Sequence, residues 1–295
     1  MSSRAKAIAC ISASAFGFAL MAMFVRLCDD CGEYVSSFQK SFFRNAIALI
    51  VAAAVFFRGG AARRRAVFPV RAWRPAAVLL LRSLVGSVGI FANFYALGKI
   101  PISDAQTLNK TAPFFTVLFA WIFLGERISR RQLAAIAAAF AGVVFVAKPG
   151  FAGADSFALA IGLLGGVAAG GAYACVRKLG VYGVDGAFIV FFFSAFSCLL
   201  SAPFMVCAFV PMTAAQVLVM VGAGVGAAVG QFGITAAYRS AAPGSIAVFD
   251  YTNIIFTGAL GFLFFAQVPD VWSVAGFVMI AGAAVAMAKS KKEGR

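Results

Sequence analysis

A chain of 295 residues that is 63% hydrophobic and only 12% charged, with a mean hydropathy of +0.96, is not an ordinary soluble domain. The absence of His removes the commonest general base and the commonest metal ligand, which argues against a Ser–His or zinc hydrolase. The formal charge of +15 gathers at the ends of apolar runs, so it reads as membrane topology rather than as a nucleic-acid footprint.

Ten apolar runs of ~20 residues, the length that crosses a bilayer core, follow one another with short connections and no soluble domain. The first, about 6–27, has no Ala-x-Ala exit and is not a cleavable signal peptide. Beyond it lies CDDC (Cys28, Cys31). Its ordinary account is two small residues at a helix end, ahead of a disulfide outside the membrane and, last, an incomplete metal shell. The second run, about 36–57, carries Lys40 and Arg44 and leads into the basic stretch RGGAARRR, which suits anionic lipid. The third, about 75–97, holds Arg82, Asn93 and Tyr95; the fourth, about 103–124, holds Asn109, Lys110 and Pro113; the fifth is about 131–148.

The sixth run, about 157–178, repeats Gly162, Gly166 and Gly170 on one helix face. After the seventh, about 186–208, the eighth, about 214–238, does the same with Gly222, Gly226 and Gly230 and adds Gln231 and Tyr238. Static close packing is the ordinary reading of such faces, and surfaces on which bundles rock the functional one. The ninth, about 244–265, opens on Pro243–Gly244 and contains Asp250; the tenth is about 271–289.

With the N-terminus inside, 18 of the 25 basic residues fall on the cytoplasmic side, among them Arg58, Arg63, Arg64, Arg65, Arg71, Arg127, Arg130, Arg131, Lys289, Lys291, Lys292 and Arg295. Arg26, Lys99 and Lys148 fall outside, together with Asp29, Asp30, Glu33, Asp155 and Asp270. Both termini are therefore expected in the cytoplasm.

Residues 104–148 are echoed by 245–289 at a constant offset of 141: Thr111 meets Thr252, Phe115 meets Phe256, Thr116 meets Thr257 and Phe123 meets Phe264. Two groups of five spans must face opposite ways, so the expectation is an all-α membrane protein of two inverted five-helix repeats, 5–148 and 157–289. Asn109 then corresponds to Asp250, and Lys110 to Tyr251.

Lys40, Arg44, Arg82, Lys110 and Asp250 lie inside spans, where each charge facing lipid costs about 2.5–3.5 kcal/mol. Lys40, near its helix end, is expected to snorkel. Arg44, Lys110 and Asp250 lie deeper and point to a water-filled cavity near the midplane, with the breaks at Pro113 and Pro243 freeing backbone groups beside it.

Residues 100–129, IPISDAQTLNKTAPFFTVLFAWIFLGERIS, resemble the hallmark helix pair of the drug/metabolite transporter superfamily, EamA type, with Pro101, Ala105, Pro113, Leu124, Gly125 and Glu126 in its characteristic places. Residues 241–270 resemble it more loosely, with Ala266–Gln267 where relatives usually carry Gly–Glu. Glu126 itself is expected to be neutralised by Arg127, Arg130 or Arg131. The resemblance implies a central cavity lined by the third, fourth, eighth and ninth helices, often also the first and sixth. It singles out Asn93, Asn109, Lys110, Gln231, Asp250, Tyr251 and Asn253, and Arg44 in SFFRN is similar to an Arg found in the second helix of relatives.

The functional expectation is a secondary transporter in the cell (inner or plasma) membrane that moves a small anionic or zwitterionic metabolite by alternating access. Three cations, Arg44, Arg82 and Lys110, stand against Asp250. Lys110 and Arg44 would hold a carboxylate, and Asp250 an ammonium group or a coupling proton. The abundant Phe and the single acid leave an exporter of drugs or lipophilic cations as the alternative. An intramembrane enzyme lacks its paired aspartates, and a receptor or scaffold would leave the internal polar residues without cargo. No catalytic residue, metal or cofactor is expected. The partners are a small-molecule substrate and the bilayer, not nucleic acid, and a homodimer is compatible.

Overall fold

The computed structural model describes residues 3–60, 70, 72–97, 99–100, 102–147, 155–266 and 268–289. Arg63, Arg64, Arg65, Arg71, Pro101, Lys148, Gln267, Lys291, Lys292 and Arg295 lie outside them.

The chain is all α: α1 (Ser3–Asp30), α2 (Ser37–Arg58), α3 (Trp73–Leu97), α4 (Ile102–Asn109), α5 (Ala112–Leu124), α6 (Arg130–Ala147), α7 (Ser156–Val181), α8 (Gly186–Cys207), α9 (Ala214–Ser240), α10 (Pro243–Ile246), α11 (Thr252–Phe265) and α12 (Val271–Lys289). A 3₁₀ turn, Ala247–Tyr251, joins α10 to α11. Ten segments are long and apolar enough to cross a membrane; the fourth, Thr107–Leu124, is split between α4 and α5, and the ninth, Pro243–Phe265, runs from α10 to α11. This is a multi-pass membrane protein. Polar N-caps mark the helix starts chemically: Ser36 accepts from Gln39 N, Asp155 from Phe157 N and Ala158 N, and Thr213 and Gln216 form a reciprocal capping box.

The two split spans turn in the same way. The fourth breaks at Lys110–Thr111, one residue earlier than Pro113 alone suggests, because proline sits comfortably in the first turn of the helix that follows. Thr111 Oγ1 donates to the Leu108 carbonyl at 2.6 Å, and Thr252 Oγ1, 141 residues on, donates to that of Phe249 at 2.7 Å. Both spans also end in a left-handed residue, Gly125 at φ 68° and Ala266 at φ 51°. Glycine takes that conformation without steric cost; at Ala266 the backbone keeps it although the residue has a Cβ.

Helix pairing is reciprocal between the halves. The most extensive contacts are α1 with α9 and α3 with α7, which are the first span on the eighth and the third on the sixth; α6 pairs with α12 and α2 with α8. Each pair runs antiparallel. Gly233 lies against Cys10 and Ser14, Gly226 against Gly17 and Met21, and Gly222 against Phe24. Likewise Gly142 faces Met279 and Ile280 while Gly276 faces Val146, and Phe38 stacks on Phe204 while Phe56 meets Phe188. The glycines predicted to mark packing faces do so: Gly162, Gly166 and Gly170 receive Leu108, Thr111 and Phe115 of the fourth span.

The main apolar core sits at the end where α1 begins and α7, α9 and α12 finish. It includes Ala7, Ile11, Leu179, Ile234, Ala237, Ala284 and Met287. At the opposite end the buried apolar cluster is smaller, built on Cys28, Val35, Met220 and Ala223. The thiols of Cys28 and Cys31 are free.

The approach of α1 to α9 gives a direct test. A Cβ on Gly17 would lie 2.7 Å from the Gly230 nitrogen and 2.8 Å from the Gly226 carbonyl oxygen, backbone atoms that cannot step aside. Gly17→Val should lower the thermal unfolding midpoint in detergent, an overpacking cost of about 1–3 kcal/mol. A Cβ on Gly282 meets nothing within 4 Å, so Gly282→Ala should leave the midpoint unchanged, within about 0.5 kcal/mol.

Candidate functional site

A cavity of about 460 Å³ runs through the middle of the molecule, within the range of small-ligand sites. Its wall comes from every span except the fifth and tenth, which pack on one another. Thus the second and seventh spans join the six that the family resemblance implies. The cavity leads from buried Arg82, Lys110 and Asp250 to Arg26, Asp29 and Tyr34 at the end of α1, where Tyr34 is exposed. The opposite end is filled by the main apolar core.

Charge is the cavity's main chemistry. Arg26, Lys40, Arg44, Arg82 and Lys110 line it against Asp29 and Asp250. Lys40 is buried and forms an ion pair with the half-exposed carboxylate of Asp29, so its charge is answered inside the protein as well as drawn toward the helix end.

Arg82 is 1% exposed. One Nη donates to Gln231 Oε1 at 3.2 Å, and the guanidinium carbon stands 3.7 Å from the Phe193 ring centroid. Gly86 makes the room: a Cβ there would lie 2.4 Å from an Arg82 nitrogen. Arg44 is also buried, and the Nε atoms of Arg44 and Arg82 have no hydrogen-bond partner. Tyr173 lies within electrostatic reach of Asp250 and of both guanidiniums, and stacks on Tyr238 with centroids 5.5 Å apart.

Lys110 and Asp250 occupy the two helix breaks, and both line the cavity. Among the described residues neither belongs to a direct ion pair. Asn93 and Asn109 line the wall half-buried. Asn253 lines it as well, but its side-chain nitrogen donates to the Ala15 carbonyl at 2.8 Å and so fastens α11 to α1.

Two expectations need correction. Tyr251, the repeat partner of Lys110, is fully buried in the apolar core and does not line the cavity. A 3₁₀ turn has three residues per turn, so Asp250 and Asn253 share a face from which Tyr251 is rotated away. Glu126 pairs with none of its neighbours in sequence: its partner is Arg177 on α7, whose Nε donates to Glu126 Oε1 at 2.6 Å. Tyr173, Phe193, Arg26 and Tyr34 are cavity residues that the sequence reading passed over. Aromatic side chains in a Phe-rich membrane protein carry no signal that separates cavity from lipid. Arg26 looks like a loop charge until α1 is seen to continue to Asp30.

The profile of the EamA-like transporter family matches residues 5–148. The chain is 31% identical over 280 residues to the pseudopaline exporter CntI of Pseudomonas aeruginosa, covering 95% of this chain and 94% of that one. It is 27% identical to a riboflavin transporter of Rhizobium johnstonii, over 86% of this chain and 80% of the relative. To the human solute carrier family 35 member G1 it is 24% identical, over 72% and 62%. A crystal structure with 21% sequence identity superposes with a TM-score of 0.73, covering 94% of this chain and 96% of that one, a likeness of fold.

Because Gln231 supplies the hydrogen bond that Arg82 makes within the protein, Gln231→Leu should strand a buried cation. The expected loss is about 1.5–3 kcal/mol, read as a lower unfolding midpoint in detergent. Gln231→Glu, which keeps an acceptor, should hold the midpoint or raise it.

Proposed function

The chain belongs to the EamA-like transporter family of the drug/metabolite transporter superfamily, and from that premise we propose that it moves a small anionic or zwitterionic metabolite by alternating access. The observation that carries this reading is the charge imbalance of the cavity. Arg44, Arg82 and Lys110 are buried on its wall, and Asp250 is the one buried carboxylate there among the described residues. Opposite charges ~4 Å apart attract by about 4 kcal/mol at an effective dielectric of ~20, whereas a cationic cargo would add to the repulsion. In this reading Lys110 and Arg44 hold a carboxylate, and Asp250 receives an ammonium group or a coupling proton. Pseudopaline and riboflavin, cargoes of two relatives, are first candidates to try.

Alternating access is supported by the shape of the molecule. One end of the cavity reaches exposed Tyr34, and the other is closed by apolar packing. The basic residues gathered at the closed end support a cytoplasmic placement for it, and with that placement the arrangement is outward-open. The reciprocal, antiparallel pairing of α1 with α9, α3 with α7 and α6 with α12 supports two inverted repeats that exchange roles as the cavity changes sides. Cargo drives that exchange only by stabilising one state over the other.

An exporter of lipophilic cations is the second reading, favoured by Phe18, Phe94, Phe193 and Phe265 on the wall and by Asp250. Lys110, on the same wall as Asp250, works against it.

Purified protein in proteoliposomes, assayed with pseudopaline, riboflavin, amino acids and organic carboxylates, provides the test. For any compound that moves, Lys110→Ala should abolish flux while the protein stays folded and monodisperse, and Lys110→Arg should retain part of it. Undiminished transport by Lys110→Ala would overturn the assignment.

A further inference from the structure

The buried charges on the cavity wall fall into two sets by the elements that carry them. Lys110 and Asp250, one at each helix break and both on the wall, form the first. Arg44 of α2 and Arg82 of α3 form the second: both are buried on the cavity wall, which Tyr173 of α7 also lines. The first set is already balanced, one cation against one anion. The second has two cations and, among the described residues, no carboxylate paired with either.

Both guanidiniums are more than nine-tenths buried, both line the cavity, and each keeps a buried Nε without a partner. Arg82 is moreover held in place from three sides, by Gln231, by the Phe193 ring and by the space above Gly86. A guanidinium fixed this way is preorganised to grip an oxyanion with two parallel N–H groups.

We propose that the cargo is two-ended: a zwitterionic, amino-acid-like group held between Lys110 and Asp250, and a separate oxyanion gripped by Arg44 and Arg82. This rests on the transport reading above and narrows it, from any anionic or zwitterionic metabolite to one with a net negative charge spread over two groups. A carboxylate and a phosphate share the required chemistry. The cavity, at about 460 Å³, accommodates both ends of such a molecule at once.

Paired probes that differ only at the second end test this. Binding to the full-length protein in nanodiscs is measured by calorimetry for glutamate against glutamine, α-aminoadipate against its side-chain amide, and phosphoserine against serine. The doubly anionic member of at least one pair should bind ten-fold or more tighter than its neutral partner, and which pair shows it separates carboxylate from phosphate. Arg82→Gln should erase most of that preference while changing affinity for the neutral member less than two-fold, and Arg44→Gln should erase it too but weaken both members, because Arg44 also meets the carboxylate that Lys110 holds. Arg82→Lys, which keeps the charge but loses the fork, should erase part of it, and unfolding midpoints near that of the parent show that the variants fold. Equal binding within every pair, or a preference that survives both arginine substitutions, overturns the two-ended cargo and leaves the transport reading standing. Failure of every anionic and zwitterionic probe, with lipophilic cations binding instead, overturns both.

Discussion

A buried cation must be answered, by a carboxylate, by water or by something that arrives. The structure depends on how this rule is met along its cavity. Lys40 is answered by Asp29, Arg177 by Glu126, and Lys110 shares the cavity wall with Asp250. Arg44 and Arg82 have aromatic and amide neighbours instead: Tyr173 near both, and for Arg82 also Phe193 and Gln231. An uncompensated ion in a low-dielectric interior costs several kcal/mol, a cost that the oxyanion of the proposed cargo would recover. That is why the positive cavity, more than the fold, speaks to function; the fold is shared by relatives with differently named cargoes.

The scaffold that holds these charges is built from small residues and interrupted helices. Glycines let α1 and α9 approach until Gly17 touches the Gly226 carbonyl, and bring Gly142 against the Gly276 carbonyl. Such contacts draw the spans together without large side chains, leaving bulky groups to lipid and polar ones to the cavity. The breaks at Lys110–Thr111 and at Ala247–Tyr251 then deliver one charged residue from each half to the same space. The Thr111 and Thr252 hydroxyls close the two turns in the same register.

The scaffold was largely legible in the sequence. Apolar runs of bilayer length are a one-dimensional signal, so all ten spans are found where they were expected, to within a few residues. Buried charges are legible for the same reason: Arg44, Arg82, Lys110 and Asp250 are conspicuous because lipid would not tolerate them. What escaped depends on rotation and distance. Tyr251 follows Asp250 in the chain, but a 3₁₀ turn sends neighbours to different faces, and nothing in the repeat pattern announces that turn. Glu126 finds Arg177 51 residues away in preference to the arginines beside it, because α7 packs against α5 and brings that side chain to the helix end. Tyr173 and Phe193 are aromatic residues among many, and only packing shows which face the cavity.

The central claim is that the cavity's excess positive charge selects the cargo. Thermal-shift measurements on the purified protein against a panel of organic anions, amino acids and lipophilic cations test it most directly. Stabilisation is expected only from compounds bearing at least one anionic group. It should weaken as salt screens the attraction, though only partly, since the groups are buried. Stabilisation by lipophilic cations alone, with anions and zwitterions inert, would contradict it.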